Sequence, residues 1–257
     1  MRDDSDKKVK RPPLFWLMTE TSRALFELGA FYPYSALSTI KKSGDGHPVL
    51  VMPGFMAGDA STAPLRRFLE KLGYTPYGWD IGRNRAKEEY IETLKIRLKR
   101  IHTIHNAKAS LIGWSLGGVY ARQIAKDLPE LVRQMIVLGS PFKGLTQPNH
   151  ARWVYDLITK GDTERRVDER LLKDIPKPAP VPTTSIYTKE DGIVPWQVCL
   201  EDEDDLHQNV RVRGSHIGLG VNPAVLNLIA DRLSQDTENW KPFEPKNAFE
   251  NILAYPT

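Results

Sequence analysis

Ala109-Ser110-Leu111-Ile112-Gly113-Trp114-Ser115-Leu116-Gly117-Gly118-Val119-Tyr120-Ala121 is the stretch on which the reading of this chain turns. Its first half, Ala109 to Trp114, is a short apolar run of strand length. Its second half runs from Leu116 to Leu128 as a helix that Pro129 stops. Between them the pattern Gly113-x-Ser115-x-Gly117 sets a serine at a strand-to-helix junction, where small residues on either side let the chain turn sharply and lift the hydroxyl above the carboxyl edge of a sheet. By composition alone such a pattern arises in roughly one chain in ten of this length. The flanking strand and helix signals make it specific.

Outward from the motif, short apolar runs keep alternating with amphipathic stretches, which is the pattern of a mostly parallel sheet flanked by helices, an α/β fold. Before it lie a strand at Pro48 to Met52, the turn Pro53-Gly54-Phe55, a helix around Ala63 to Leu72 ended by Gly73, and a strand at Tyr74 to Trp79. Lys87 to His105, with Ile91, Leu94, Leu98 and Ile101 three or four apart, reads as a surface helix with one buried face. After the motif come a strand at Gln134 to Gly139, then Thr183 to Tyr187, a loop through Asp191, a strand at Val210 to Arg213, and a last helix announced by Asn222 as cap and Pro223 in its first turn. The polar, charged segment 143–181, closed by Pro176-Lys177-Pro178-Ala179-Pro180, breaks the rhythm and reads as an inserted cap with a stiff return linker. The organisation is therefore an N-terminal helical extension (1–46), a core (47–142 and 182–233), the cap (143–181) and a tail packing on the core (234–257).

The chain has 257 residues, 40% hydrophobic and 26% charged, which suits one ordinary compact core. Its formal charge of +4 comes from scattered Lys and Arg, a distribution that argues against a nucleic-acid partner. The single cysteine, Cys199, excludes an internal disulfide framework and reads as a small half-buried hydrophobe. The first apolar run, Leu14 to Met18, is too short for a signal-peptide core or a membrane span, so a cytoplasmic location is expected. Leu14, Leu17, Met18, Leu25, Leu28 and Phe31 recur at roughly helical spacing and predict a helix packed on its own domain. Contact with a membrane surface is the alternative, and Glu20 and Glu27 weigh against it.

A serine becomes a nucleophile only beside a base and near donors that can hold an oxyanion. Of the six histidines, His47 precedes a strand, His102 and His105 lie on a surface helix, His150 is in the cap and His207 follows an acidic loop. Only His216, in Gly214-Ser215-His216-Ile217-Gly218, sits in a loop between the last strand and the last helix, where it reaches the same sheet edge as Ser115. The orienting carboxylate is expected from the loop after the preceding strand, where Asp191 is followed by Gly192; the adjacent Glu190 is the second choice. The order Ser115, Asp191, His216 is that of a Ser-His-Asp triad on this kind of sheet. Backbone N–H groups of Leu116 and Phe55 are the expected oxyanion donors, with Met56 as the alternative to Phe55. Met56, Trp114, Trp153, Tyr155 and Leu157 are candidates to line an acyl pocket. Glu201 to Asp205 lacks the ligand spacing of a calcium loop and reads as a solvated acidic run. No metal and no cofactor is called for. Trp79 and Asp80 either face the site or only end their strand.

These residues resemble the small bacterial lipases of the α/β-hydrolase superfamily. The likeness is carried by Thr183-Thr184-Ser185-Ile186-Tyr187 through Asp191 and Ile193-Val194, by Asn209-Val210 and His216-Ile217-Gly218-Leu219, by Asn227-Leu228-Ile229, and by Val137-Leu138-Gly139-Ser140-Pro141. The resemblance spans residues 47–233 without the cap. It implies a sheet of about six strands, a metal-free site and a carboxylic ester hydrolase (esterase or lipase) acting through an acyl-enzyme, with Ser115 as nucleophile, His216 as general base and Asp191 as orienting acid. An acyltransferase or thioesterase using the same triad, and a non-catalytic member that binds a lipid or a partner, are the alternatives. The cap departs from the lidless subgroup, so the open site of those enzymes does not transfer.

Overall fold

The computed structural model describes residues 9–37, 44–143, 169–236, 239–245 and 254–256. Its elements in chain order are α1 (Leu14–Leu37), β1 (Pro48–Met52), α2 (Asp59–Leu72), β2 (Thr75–Tyr77), α3 (Tyr90–His105), β3 (Ala109–Trp114), α4 (Leu116–Asp127), β4 (Val132–Leu138), α5 (Glu169–Asp174), β5 (Thr183–Tyr187), β6 (His207–Arg211) and α6 (Pro223–Leu233). The six strands form one sheet in the order β2-β1-β3-β4-β5-β6. Every pairing is parallel.

A parallel sheet covered on both faces requires strands that are apolar on both sides, and all five residues of β1 are buried. Val49 and Val51 join one core with Leu65 and Phe68 of α2, Phe31 of α1 and Leu226 and Ile229 of α6. Leu50 and Met52 join the other, with Leu94 and Leu98 of α3 and Val119 and Ile124 of α4. Leu50, Leu94, Leu98 and Ile124 are fully enclosed, and each such side chain contributes about 1.5–3 kcal/mol.

After β1 the chain adds β2 on one side, then returns to place β3 on the other. The strand order therefore reverses between β1 and β3, and at such a point the loops leaving the carboxyl ends diverge and open a crevice. The turn Pro53-Gly54-Phe55 and the junction at Ser115 leave the sheet there.

Several boundaries differ from the sequence reading, each for a local reason. β2 stops at Tyr77 because the Asp59 carboxylate accepts the N–H groups of Trp79 (2.9 Å) and Asp80 (3.0 Å) and draws the chain off the sheet. Trp79 is enclosed beside Tyr90, while the exposed Asp80 pairs with Arg97 at 3.1 Å. β6 begins earlier, at His207, whose ring bonds the Ala179 carbonyl at 2.9 Å. Its next residue, Gln208, is satisfied by both backbone groups of Phe243. Cys199 is fully buried, not half-buried; burial, followed by the nearby Asp191 charge, pushes its thiol well up.

The acidic run is not a solvated loop throughout. Glu201 is buried and forms a two-pronged ion pair with Arg122 of α4, whose guanidinium also donates to the carbonyls of Ile175 (2.7 Å) and Pro176 (2.9 Å) and lies over the Phe142 ring. Asp202 pairs with Lys143, Glu203 accepts the Asn209 N–H, and Asp204 takes the His207 ring.

Helix α1 reverses the expected packing. Leu28 and Phe31 do meet the core, but Leu14, Leu17, Met18 and Leu25 are exposed, and the buried residues of the helix before Phe31 are Glu20 and Glu27. Polar partners on the body of the protein, described next, decide this orientation.

Candidate active site

Ser115 has φ 52° and ψ −120°, a conformation that costs a non-glycine residue of order 1–3 kcal/mol. Its own N–H donates to Leu138 O at 2.8 Å, tying the turn to the end of β4. Neighbouring backbone leaves no room for larger residues at the flanking glycines. A Cβ on Gly113 would stand 2.3 Å from Gly118 Cα, and one on Gly117 would stand 2.3 Å from Met52 O. The glycine spacing read in the sequence is thus a packing requirement of the turn from β3 into α4.

His216 and Asp191 meet: Nδ1 lies 2.6 Å from Asp191 Oδ2, and both side chains are buried. Asp191 Oδ1 accepts the N–H groups of Ile193 (2.7 Å) and Val194 (2.6 Å), which fixes the carboxylate and leaves Oδ2 for the imidazole. An ionised carboxylate only accepts, so Nδ1 carries the proton and Nε2 is free to take another. Burial opposes the imidazolium most strongly, but the Asp191 charge and hydrogen bond, with the Glu20 charge behind them, raise the His216 pKa above its ordinary 6.5. Glu190 is turned elsewhere, toward Gly214 N and Arg213.

The serine and histidine loops are joined through their neighbours. The Trp114 indole N–H donates to His216 O at 3.1 Å, so this side chain supports the histidine loop. Gly139, at φ +55° where β4 ends, lies under the imidazole; a Cβ there would come within 3.1 Å of Nδ1.

On the other side of Ser115, Gly54 approaches closely enough that a Cβ would stand 3.3 Å from that of the serine. Met56 has a left-handed backbone, and its N–H is taken by Asn84 O at 2.7 Å, which removes it as an oxyanion donor. Leu116 begins α4 and so has no acceptor for its N–H within the helix. Phe55 follows Gly54 directly. The buried Asn84 braces this loop, donating through Nδ2 to Pro53 O at 2.9 Å and through its backbone to Ala57 O at 2.7 Å. Nothing in the sequence near Asn84 marks it for that task. Trp153, Tyr155, Leu157 and His150 lie outside the described residues.

Glu20 and Glu27 supply the support that the sequence reading missed. Glu20 accepts from Gly192 N (2.8 Å) in the acid loop and from His216 N and Ile217 N (both 3.2 Å) in the histidine loop. Glu27 accepts from Ser215 N (2.8 Å), Ser215 Oγ (2.6 Å) and Asn222 Nδ2 (3.3 Å). Burial raises the Glu27 pKa, and the bonds from Ser215 and Asn222 and the Arg23 charge oppose that rise. Arg23, between them, reaches Gly214 O at 3.1 Å and Glu20 at 3.0 Å. Three charged residues spaced i, i+3 and i+7 in an otherwise uncharged helix are the one signal that could have revealed a polar inner face. The remaining described histidines hold scaffold: His47 bonds Ser110, His102 bonds Ala107, His105 bonds Tyr77 and His207 bonds Asp204 and Ala179.

No protein-family model matches the chain. Serine hydrolase BPHL of Homo sapiens is 27% identical over 111 residues, which cover 39% of this chain and 38% of that protein. The match thus spans under two-fifths of the relative's length. Aspergillus fumigatus lipase B superposes with a TM-score of 0.59 at 18% identity, over 78% of this chain and 55% of that one. A lipase-esterase related protein from Clostridium acetobutylicum gives 0.53 at 16% identity, over 74% and 96%. With its all-parallel six-stranded sheet and these likenesses, the chain has the α/β-hydrolase fold and is a distant relative, over part of its length, of serine hydrolase BPHL.

Proposed function

We propose that the chain is a serine carboxylic ester hydrolase of the esterase or lipase kind. The observation that carries the reading is the strained backbone of Ser115 at the strand-order reversal, on the same carboxyl edge of the sheet as the loops that carry the buried, hydrogen-bonded His216–Asp191 pair. Strain at such a turn persists only when its surroundings enforce it, and a projecting serine is what acyl transfer uses. The names lipase and esterase borne by proteins of the same fold are consistent with an ester substrate.

In this reading His216 Nε2 takes the Ser115 proton as Oγ attacks the ester carbonyl. The N–H groups of Phe55 and Leu116 hold the oxyanion, and the imidazolium returns its proton to the departing alcohol. Water, activated by the same imidazole, then releases the acyl group from Ser115. Asp191 stabilises the charged imidazole and keeps its tautomer.

The test is labelling with a fluorophosphonate together with turnover of p-nitrophenyl esters from acetate to palmitate. Wild-type protein should be labelled and active, and Ser115→Ala should lose labelling and about 10⁴-fold or more in kcat. Retained turnover by purified Ser115→Ala removes the mechanism.

The general base works as neutral imidazole, so activity should rise with pH through a pKa above 6.5. Glu20 contributes to that elevation. Glu20→Gln removes its charge, lowers the His216 pKa and should move the acidic limb of the kcat/KM profile to lower pH. A limb that stays in place would show that the Glu20 charge does not reach the imidazole.

A further inference from the structure

Helix α1 contains three charged residues, Glu20, Arg23 and Glu27. All of them bond the acid and histidine loops, so the outward face carries no charge. What it presents is Leu14, Phe15, Leu17, Met18, Leu25, Phe26 and Tyr32, each more than half exposed. The orientation cannot relax: turning the apolar side inward would strip Ser215, His216 and Ile217 of the acceptors for their N–H groups, and each orphaned donor is costly. The helix is therefore apolar outward because it is polar inward.

From Leu14 to Tyr32 the face extends about 27 Å at 1.5 Å per residue. Ile217, beside His216 and held by Glu20, is also exposed and extends the apolar surface to the histidine loop. Positive charge accompanies the face. Lys10 and Arg11 are exposed just before the helix, and in the sequence they end the run Lys7-Lys8-Val9-Lys10-Arg11. Beside Phe26 and Ala30 a groove of about 460 Å³ is lined by Arg23, Glu27, Glu190 and Arg213; the Arg213 side chain is half exposed and 3.7 Å from the more covered Glu190. An uncharged aromatic and aliphatic face with basic residues at its margins matches an interfacial helix lying in the headgroup layer of an anionic bilayer. No described helix is long and apolar enough to cross a membrane, so this contact would lie on the surface.

We propose that the outward face of α1 docks the protein on an anionic lipid surface, with Lys10, Arg11 and Arg213 toward the headgroups. This extends beyond the ester-hydrolase reading and does not depend on it.

The experiment is co-sedimentation of the full chain with vesicles of phosphatidylcholine alone or mixed with phosphatidylglycerol, with sedimentation velocity on the protein by itself. Wild type and Ser115→Ala should bind the mixed vesicles equally, more weakly at high salt and more weakly to phosphatidylcholine. Phe15→Ser, Met18→Ser and Phe26→Ser together, all at exposed positions, should reduce binding about tenfold or more without moving the thermal midpoint. Lys10→Glu with Arg11→Glu should reduce the preference for the anionic vesicles. Absence of wild-type binding, or binding indifferent to the triple substitution, overturns the proposal. A dimer that the triple substitution dissociates, with no vesicle binding, assigns the face to a second copy instead. If docking holds while Ser115→Ala keeps its esterase activity, only the catalytic reading fails.

Discussion

Asp191→Asn is expected to lower kcat for ester hydrolysis by about four orders of magnitude while leaving the fold intact. The reason is directional. Asp191 Oδ1 is fixed by the N–H groups of Ile193 and Val194, so an asparagine keeps its carbonyl oxygen there and turns its NH₂ toward His216. Two donors then face each other unless Nδ1 gives up its proton. The imidazole adopts the other tautomer, with Nε2 protonated and unable to accept from Ser115. The imidazolium also loses its counter-charge, so its pKa falls. Turnover in the ester series together with the circular dichroism spectrum checks both halves. A loss under about tenfold would remove Asp191 from the orienting role, because the mechanism needs far more from it.

The second large effect concerns stability. Either Arg122→Ala or Glu201→Ala leaves the opposite charge buried without its partner, at a cost of about 3–5 kcal/mol. The side chains are 1% and 0% exposed, so solvent screening does little for either. Replacing both with apolar residues of similar volume should cost much less, because it is the uncompensated charge that destabilises. Urea denaturation measures this as a fall in the midpoint at unchanged slope. Single variants that cost under about 1 kcal/mol would show that water reaches the pair. The bond is also organisational, since it joins α4, which starts just after Ser115, to the Ile175–Pro176 linker and to the loop following β5.

The sheet was readable because its strands are apolar on both faces and bounded by Gly and Pro. β1, β3 and β5 start and end where the sequence reading put them, and Asn222 caps α6 through its side chain as expected, accepting from Ala224 N. β6 was misplaced because it is an edge strand whose first residues, His207 and Gln208, are polar and satisfied by remote partners. The placement of Ser115, Asp191 and His216 on one sheet edge followed from chain order and loop position. The supports of those residues did not. Asn84 acts through backbone carbonyls and Gly139 through the absence of a side chain, and neither leaves a pattern in composition or spacing. Helix α1 misled for a physical reason. A count of apolar positions predicts which face packs only when the surface it meets is apolar. Here that surface is a row of unpaired amide groups, which two carboxylates satisfy and leucines cannot.

The structural unit around Ser115, Asp191 and His216 is accordingly larger than the sheet. A shortened version beginning at His47 would keep every strand and both cores' strand residues, and by sequence logic it would look like a whole catalytic domain. It would lack the acceptors for Gly192, Ser215, His216 and Ile217, which all come from residues 20 and 27. For anyone trimming, transplanting or grafting this scaffold, the first helix belongs with the Asp191 and His216 loops it holds and not with the dispensable ends.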